Sequence, residues 1–201
     1  MQLKFEVDNL SPYLAADEII DYNSEHIQKL AYSLSATTNN DIALAKKAYE
    51  YVRDNIPHSF DINGDIITCT ASEVLQYNQG ICYAKSHLLA AILRCLDIPA
   101  GFCYQKLVLD DADKSLLTLH GLNAIFLKSI HKWIRVDARG NKPGVKAEFN
   151  IEKEMLAFSV KPEWGEVDYP TVYAQPNKNV VQALKKSNNR QDLVRNLPFE
   201  L

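Results

Sequence analysis

Cys82 is the residue whose type and placement most invite chemistry. It ends Gly80-Ile81-Cys82 and opens a stretch whose apolar residues recur at helical spacing. The first turn of a helix has free N–H groups and positive potential. Both stabilise a thiolate, which is the nucleophilic form of cysteine. Gly80 lets the backbone turn sharply and approach a ligand closely. The Cys82 backbone N–H can also face the oxyanion of an attacked carbonyl. The competing reading of a lone cysteine is a small buried hydrophobe. That reading suits Cys95, on the apolar stripe of the same stretch, and Cys103, inside a strand pattern; Cys69 lies in an irregular segment and is given no role.

A nucleophilic cysteine needs a base, and the base needs an orienting group. His120 begins one strand pattern and Asp137 ends the next. A two-residue turn at Ser129-Ile130 pairs Lys128 with His131, so paired residue numbers sum to 259. His120 and Asp137 then fall on one face as diagonal neighbours. A turn of odd length without a bulge would put them on opposite faces. The spacing permits the contact without requiring it. Other readings are a strand-edge histidine and a loop aspartate that turns the chain. His87 lies one turn along from Cys82 and reads as a hydrogen-bonded helix residue. His131 sits at the hairpin turn, His26 and His58 in polar stretches. Gln76 and Gln79, just upstream of Cys82, are candidate oxyanion donors of little weight.

Other chemistries are excluded by pattern. The seven glycines form neither a G-x-G fingerprint nor a Walker spacing; no histidine opens H-E-x-x-H and no serine sits in G-x-S-x-G. Cysteine spacings of 13, 13 and 8 leave no C-x-x-C pair for zinc, haem or redox work. An EF-hand count from Asp111 puts Leu116 where glycine is needed and Leu122 where glutamate is needed, so Asp110-Asp111-Ala112-Asp113 reads as a solvated loop. No metal or cofactor is therefore expected. With 22 basic and 25 acidic residues the net charge is −3, which argues against nucleic acid and anionic membrane as partners. MQLKFEVDNL lacks an apolar core of signal-peptide length, and no later run could span a bilayer. Four free thiols in a reducing cytoplasm is the expectation.

The elements that must hold these residues follow from periodicity. Residues 2–8 alternate as a half-buried strand. Residues 24–35 form a helix. A second helix, capped by Asn40 or Asp41, buries Ile42, Ala45, Tyr49, Val52 and Ile56 and stops at Pro57. Residues 58–70 are irregular. Ser72 caps a short helix that Gly80 ends. Residues 82–96 have an apolar stripe wide enough for a buried central helix. Strands follow at 100–109, 120–128 and 132–137, with a polar loop through Asp110, Asp111, Asp113 and Lys114. Residues 138–176 hold four of the eight prolines and wrap the surface. A last helix covers 177–187, and the polar tail from Ser187 is loose. Helices first and a strand meander later imply an α+β fold, helices packed to one side of an antiparallel sheet. Length and a hydrophobic content of 47% suit one domain over 1–201, with a catalytic core at about 40–145 and a C-terminal wrap and helix over 146–201.

The segment TASEVLQYNQGICYAKSHLLAAILRCLDIPAGFCYQ, residues 70–105, resembles the core of the transglutaminase-like superfamily. Downstream, LHGLNAIFL is similar to the family's histidine strand and WIRVDARGNKPGV to its aspartate strand and following loop. The three motifs occur in family order over roughly 70–145, and the chain ends look like bacterial stand-alone members. The resemblance implies a papain-like Cys–His–Asp triad: Cys82 as nucleophile, His120 as base, Asp137 as orienter. One departure is His120-Gly121-Leu122-Asn123, where the family often has His-Ala-Trp, so the wall beside the base differs. The implied function is acyl transfer on peptide or protein amides through a Cys82 thioester, ending in hydrolysis (a peptidase or amidase) or in transamidation. The alternative is a catalytically silent module that binds peptide or protein. It would gain from His120 and Asp137 on opposite faces, or from residues 138–176 plugging the cleft.

Overall fold

The computed structural model describes residues 1–110 and 113–201. Its centre is the helix that opens with Cys82. In chain order, β1 is Lys4–Phe5, α1 Glu25–Ser35, α2 Asp41–Asn55, α3 Ala71–Tyr77 and α4 Cys82–Cys95. Next come β2 (Ala100–Asp110), β3 (Asp113–Leu127), β4 (Lys132–Val136), β5 (Val167–Asp168), β6 (Thr171–Val172), α5 (Lys178–Lys186) and α6 (Arg190–Asn196). Twelve consecutive residues of α4, Tyr83 to Arg94, are buried, as the wide apolar stripe predicts. Helices α1, α2 and α3 pack around it, and it lies against β2 and β3. The sheet is antiparallel in the order β4-β3-β2-β5. The expected α+β architecture is thus the observed one. The opposite face of the sheet is closed by Tyr13, Val172 and Ala174 against Cys103, Leu122 and Ala124. Among the described residues no helix is long and apolar enough to cross a membrane.

Several local expectations hold. The Asn40 side chain caps α2 by accepting from the Ala43 N–H at 2.9 Å, and Ala45, Tyr49, Val52 and Ile56 are fully buried. Ile42 is only half-buried. Others are corrected. The short helix is capped by Thr70, not Ser72: Thr70 and Glu73 form a capping box, and the helix ends at left-handed Asn78 before Gly80 is reached. Residues 2–8 shrink to a two-residue strand, parallel to β6 and outside the main sheet. Beyond it the Glu6 carboxylate accepts the Ala174 N–H at 2.8 Å, so a side chain replaces the ladder. The polar loop is shorter than expected, because β2 and β3 pair out to Asp110 opposite Asp113. Main-chain pairing holds this extension, whose outermost apolar side chains, Leu109 and Leu116, stay exposed, so no buried face marks it. Asp111 and Ala112, through which the EF-hand count runs, lie outside the described residues. The C-terminal tail is not loose. Asn189 caps α6, Leu193 is fully buried, and Pro198 O accepts the Leu119 N–H at 2.8 Å.

Candidate functional site

The three residues singled out by type come from three elements. Cys82 is the first residue of α4, behind the N-cap Ile81, and is half-buried. Its N–H belongs to the first turn, where N–H groups have no partner within the helix. Just upstream the backbone is fixed: Gly80 pairs with His58 in a short parallel bridge, and Gly80 O accepts the Ser59 N–H at 3.1 Å.

The register of β3 with β4 sets the other two. Asn123 lies opposite Val136, and Leu127 opposite Lys132, the register whose numbers sum to 259. The turn is longer than a two-residue hairpin: a single 3₁₀ turn over Lys128–Ile130, closed by left-handed His131. It preserves the even-length register, so His120 and Asp137 share a face. His120 Nε2 and Asp137 Oδ2 are 2.8 Å apart. Asp137 occupies Nε2, and the Cys82 side chain lies near enough to the same ring to act on its charge.

Asp137 is fully buried, and its carboxylate also accepts the Arg139 N–H at 3.0 Å and the Ala157 N–H at 3.1 Å. Burial would raise its pKa, but the His120 cation and these donors outweigh it and hold the carboxyl below its ordinary value. For His120, burial favours the neutral ring. The Asp137 charge and the Cys82 side chain oppose that and push its pKa up to about 10. The arrangement therefore favours an imidazolium beside the Asp137 carboxylate.

Contacts that the sequence gave no means of finding hold α4 against the sheet. The Tyr83 hydroxyl donates to Leu119 O, tying the residue after Cys82 to the residue before His120. Buried Asn123 donates to Ser86 O at 3.1 Å and Gly101 O at 3.2 Å, one turn further along α4. A Cβ at Gly121 would sit 2.8 Å from Tyr83 Cδ1, so the Tyr83 ring fills the space next to His120. Phe158 stacks edge-on to the His120 ring, centroids 5.1 Å apart.

Cys82, Tyr83, Leu119, His120 and Phe158 line a cleft of 780 Å³. One wall is the C-terminal wrap, including Val145, Phe158, Lys161 and Trp164. It does not plug the cleft, since Cys82 stays half-exposed. Another wall carries Arg139, which grips Asp61 through both guanidinium nitrogens at 2.5 and 2.9 Å, with Lys142 at 2.7 Å from the same carboxylate. These cations hold Asp61, despite its partial burial, well below the ordinary carboxylate range.

The remaining candidates lie elsewhere. His87 is fully buried, with Nδ1 2.7 Å from Cys69 O, and burial lowers its pKa to about 4. His26 and His131 are exposed. Gln76 is exposed on α3, while the Gln79 side chain turns toward Gly64. Cys69 and Cys103 are buried, which raises each thiol to about 12; Cys95 is also raised by burial. Among the described residues no group of His, Cys, Asp and Glu could hold a metal ion.

The sequence model of the transglutaminase-like superfamily matches residues 28–138, a span that contains all three residues. No curated protein matches the chain in sequence. A candidate cysteine protease from Cytophaga hutchinsonii shares the fold at a TM-score of 0.54 and 20% identity, over 67% of this chain and 43% of that one. A candidate protease from Parabacteroides distasonis gives a TM-score of 0.43 at 12% identity, over 70% of this chain and 31% of that one. The chain thus spans less than half the length of either solved structure.

Proposed function

Since the chain belongs to the transglutaminase-like superfamily, we propose that it is a thiol-dependent acyl-transfer enzyme acting on peptide or protein amides, with Cys82, His120 and Asp137 as its catalytic residues. The observation that carries this reading is an imidazole bonded to the buried Asp137 carboxylate that shares with Cys82, the first residue of a helix, a cleft large enough for a peptide. The Cys82 thiolate adds to the amide carbonyl. The His120 imidazolium gives its proton to the leaving nitrogen as the C–N bond breaks, and a Cys82 thioester remains. His120, now neutral, takes a proton from the next nucleophile. Water gives peptidase or amidase activity, the outcome we favour; an amine would give transamidation. Asp137 keeps the ring oriented and stabilises its cation. The His120–Asp137 bond and the unplugged cleft weigh against a catalytically silent binding module. We assign the enzyme to a reducing, cytoplasmic setting, in keeping with four free thiols.

Iodoacetamide provides the test. At neutral pH it should label Cys82 far faster than Cys69, Cys95 or Cys103, and His120→Ala should slow that labelling. Equal labelling of all four thiols counts against the proposal. So does a Cys82 rate untouched by His120→Ala.

A further inference from the structure

Attack on a carbonyl moves an electron pair onto its oxygen, and one backbone N–H at Cys82 is half of the usual pair of donors for such an oxyanion. Neither glutamine upstream of Cys82 lines the cleft. A different side chain does. His58 is 8% exposed, lines the cleft with Cys82, and pairs through its backbone with Gly80, two residues before the nucleophile. Its ring lies close enough to His120 for the two charges to interact.

The two nitrogens of His58 differ. Nδ1 is sealed from solvent and has no hydrogen-bond partner, so the nitrogen turned to the cleft is Nε2. A proton on Nδ1 would be a buried donor with nothing to receive it, a costly arrangement. The Nε2–H tautomer leaves Nδ1 as an unpaired acceptor instead and points the ring's N–H into the cleft. Phe60 stacks edge-on to the ring, centroids 5.6 Å apart, and fixes its plane. Burial, helped by the Arg139 cation, lowers the pKa of His58 and keeps the ring neutral, so it does not compete with His120 as an acid.

Building on the acyl-transfer reading above, we propose that His58 is the side-chain donor of the oxyanion hole, its Nε2–H acting together with the Cys82 backbone N–H. As the Cys82 sulfur bonds to the carbonyl carbon, the C=O π pair becomes an oxygen lone pair that accepts both hydrogens. It returns to re-form the carbonyl when the bond to the leaving group breaks. His58 touches the reacting oxygen only after attack, so its contribution falls on the chemical step.

Two reactions of Cys82 separate this role from a structural one. Alkylation by iodoacetamide needs the thiolate and makes no oxyanion. Acylation by p-nitrophenyl acetate passes through one and reports by p-nitrophenolate release. His58→Phe keeps an aromatic ring beside Phe60 and has no donor. It should slow acylation about 10- to 100-fold, toward the range expected for loss of one oxyanion donor, while alkylation stays within about 3-fold of wild type. His58→Gln, which restores an N–H donor, should recover much of the acylation. Acylation unchanged in His58→Phe overturns the proposal. So does a parallel fall of acylation and alkylation, which would mark His58 as a support of the thiolate or the fold. A wild-type chain that releases no p-nitrophenolate through Cys82, judged against Cys82→Ala, overturns the acyl-transfer reading and this inference with it.

Discussion

Replacing Asp137 by Asn tests the electrostatics of the site with little change of shape. The carboxylate accepts three hydrogen bonds: Oδ2 takes His120 Nε2 and the Ala157 N–H, and Oδ1 takes the Arg139 N–H. An amide keeps one oxygen. Placed at Oδ2 it retains two of the bonds and turns its NH₂ toward the Arg139 N–H, donor against donor, at a cost of roughly 1–3 kcal/mol in stability. The larger loss is the negative charge. Opposite charges about 4 Å apart attract by about 4 kcal/mol at an effective dielectric constant of about 20, and about 1.4 kcal/mol is a factor of ten in proton affinity. His120, held at about 10 in the wild type, should lose its proton roughly a thousandfold more easily and titrate near neutrality or below. The thiolate then loses its counter-cation and must form by simple ionisation. A free cysteine, with a pKa of about 8.5, is only about 1% thiolate at pH 6.5. Iodoacetamide alkylation of Cys82, followed by mass spectrometry, should therefore be about 10- to 100-fold slower in Asp137→Asn at pH 6.5 and approach the wild-type rate near pH 9. A folded Asp137→Asn variant that alkylates at the wild-type rate at pH 6.5 would refute the reasoning.

Gly121→Ala should lower stability by about 1–3 kcal/mol through overpacking, because the new Cβ meets Tyr83 Cδ1 at 2.8 Å. In a thermal melt that is a drop of several degrees, and an unchanged Tm would refute the tight approach of α4 to β3. The raised pKa of His120 also makes stability pH-dependent. The folded chain holds the ring's proton more tightly than the unfolded chain, so the contribution is fully present below the unfolded value of about 6.5 and is lost as pH rises through about 10. The Tm difference between wild type and His120→Gln should be largest near pH 6 and narrow toward pH 10. A difference that widens over that interval would contradict the assignment of the cation.

Much of this protein was legible without coordinates, and the readable parts share a cause. Periodicity marks an element whenever its buried face is continuous. That holds for α2, with Ala45, Tyr49, Val52 and Ile56, and for α4, which is apolar almost all round. Hairpin arithmetic needs only parity, so an even-length turn gave the right face for His120 and Asp137 even though its form was a 3₁₀ turn and not a two-residue loop. Helix-start physics placed Cys82, because a cap and a first turn are local. Where side chains carry little of the folding signal, the reading failed. The outer half of the β2–β3 hairpin is held by main-chain pairing between exposed residues. Helix α6 is anchored by the single buried Leu193 and a tail carbonyl. The cap of α3 turned on whether the helix starts after Thr70, whose hydroxyl accepts the Glu73 N–H, or after Ser72, a choice within one turn for which both residue types are suited.

The sequence alone determined which residue types could react and the order in which they occur along the chain. It also determined that one helix would be central and that two strands could present an imidazole and a carboxylate together, given a turn of even length. Only the tertiary structure decided what lies between and around them. The Tyr83 hydroxyl on Leu119 O, the Ala157 N–H on Asp137, the Arg139–Asp61 clasp and the His58 backbone paired with Gly80 join residues 20 to 78 positions apart. No local period encodes such contacts. They arise when the wrap after Asp137 and the irregular segment before α3 are packed against the same helix mouth. Space filling and the pairing of buried polar groups then leave a single arrangement that satisfies them together.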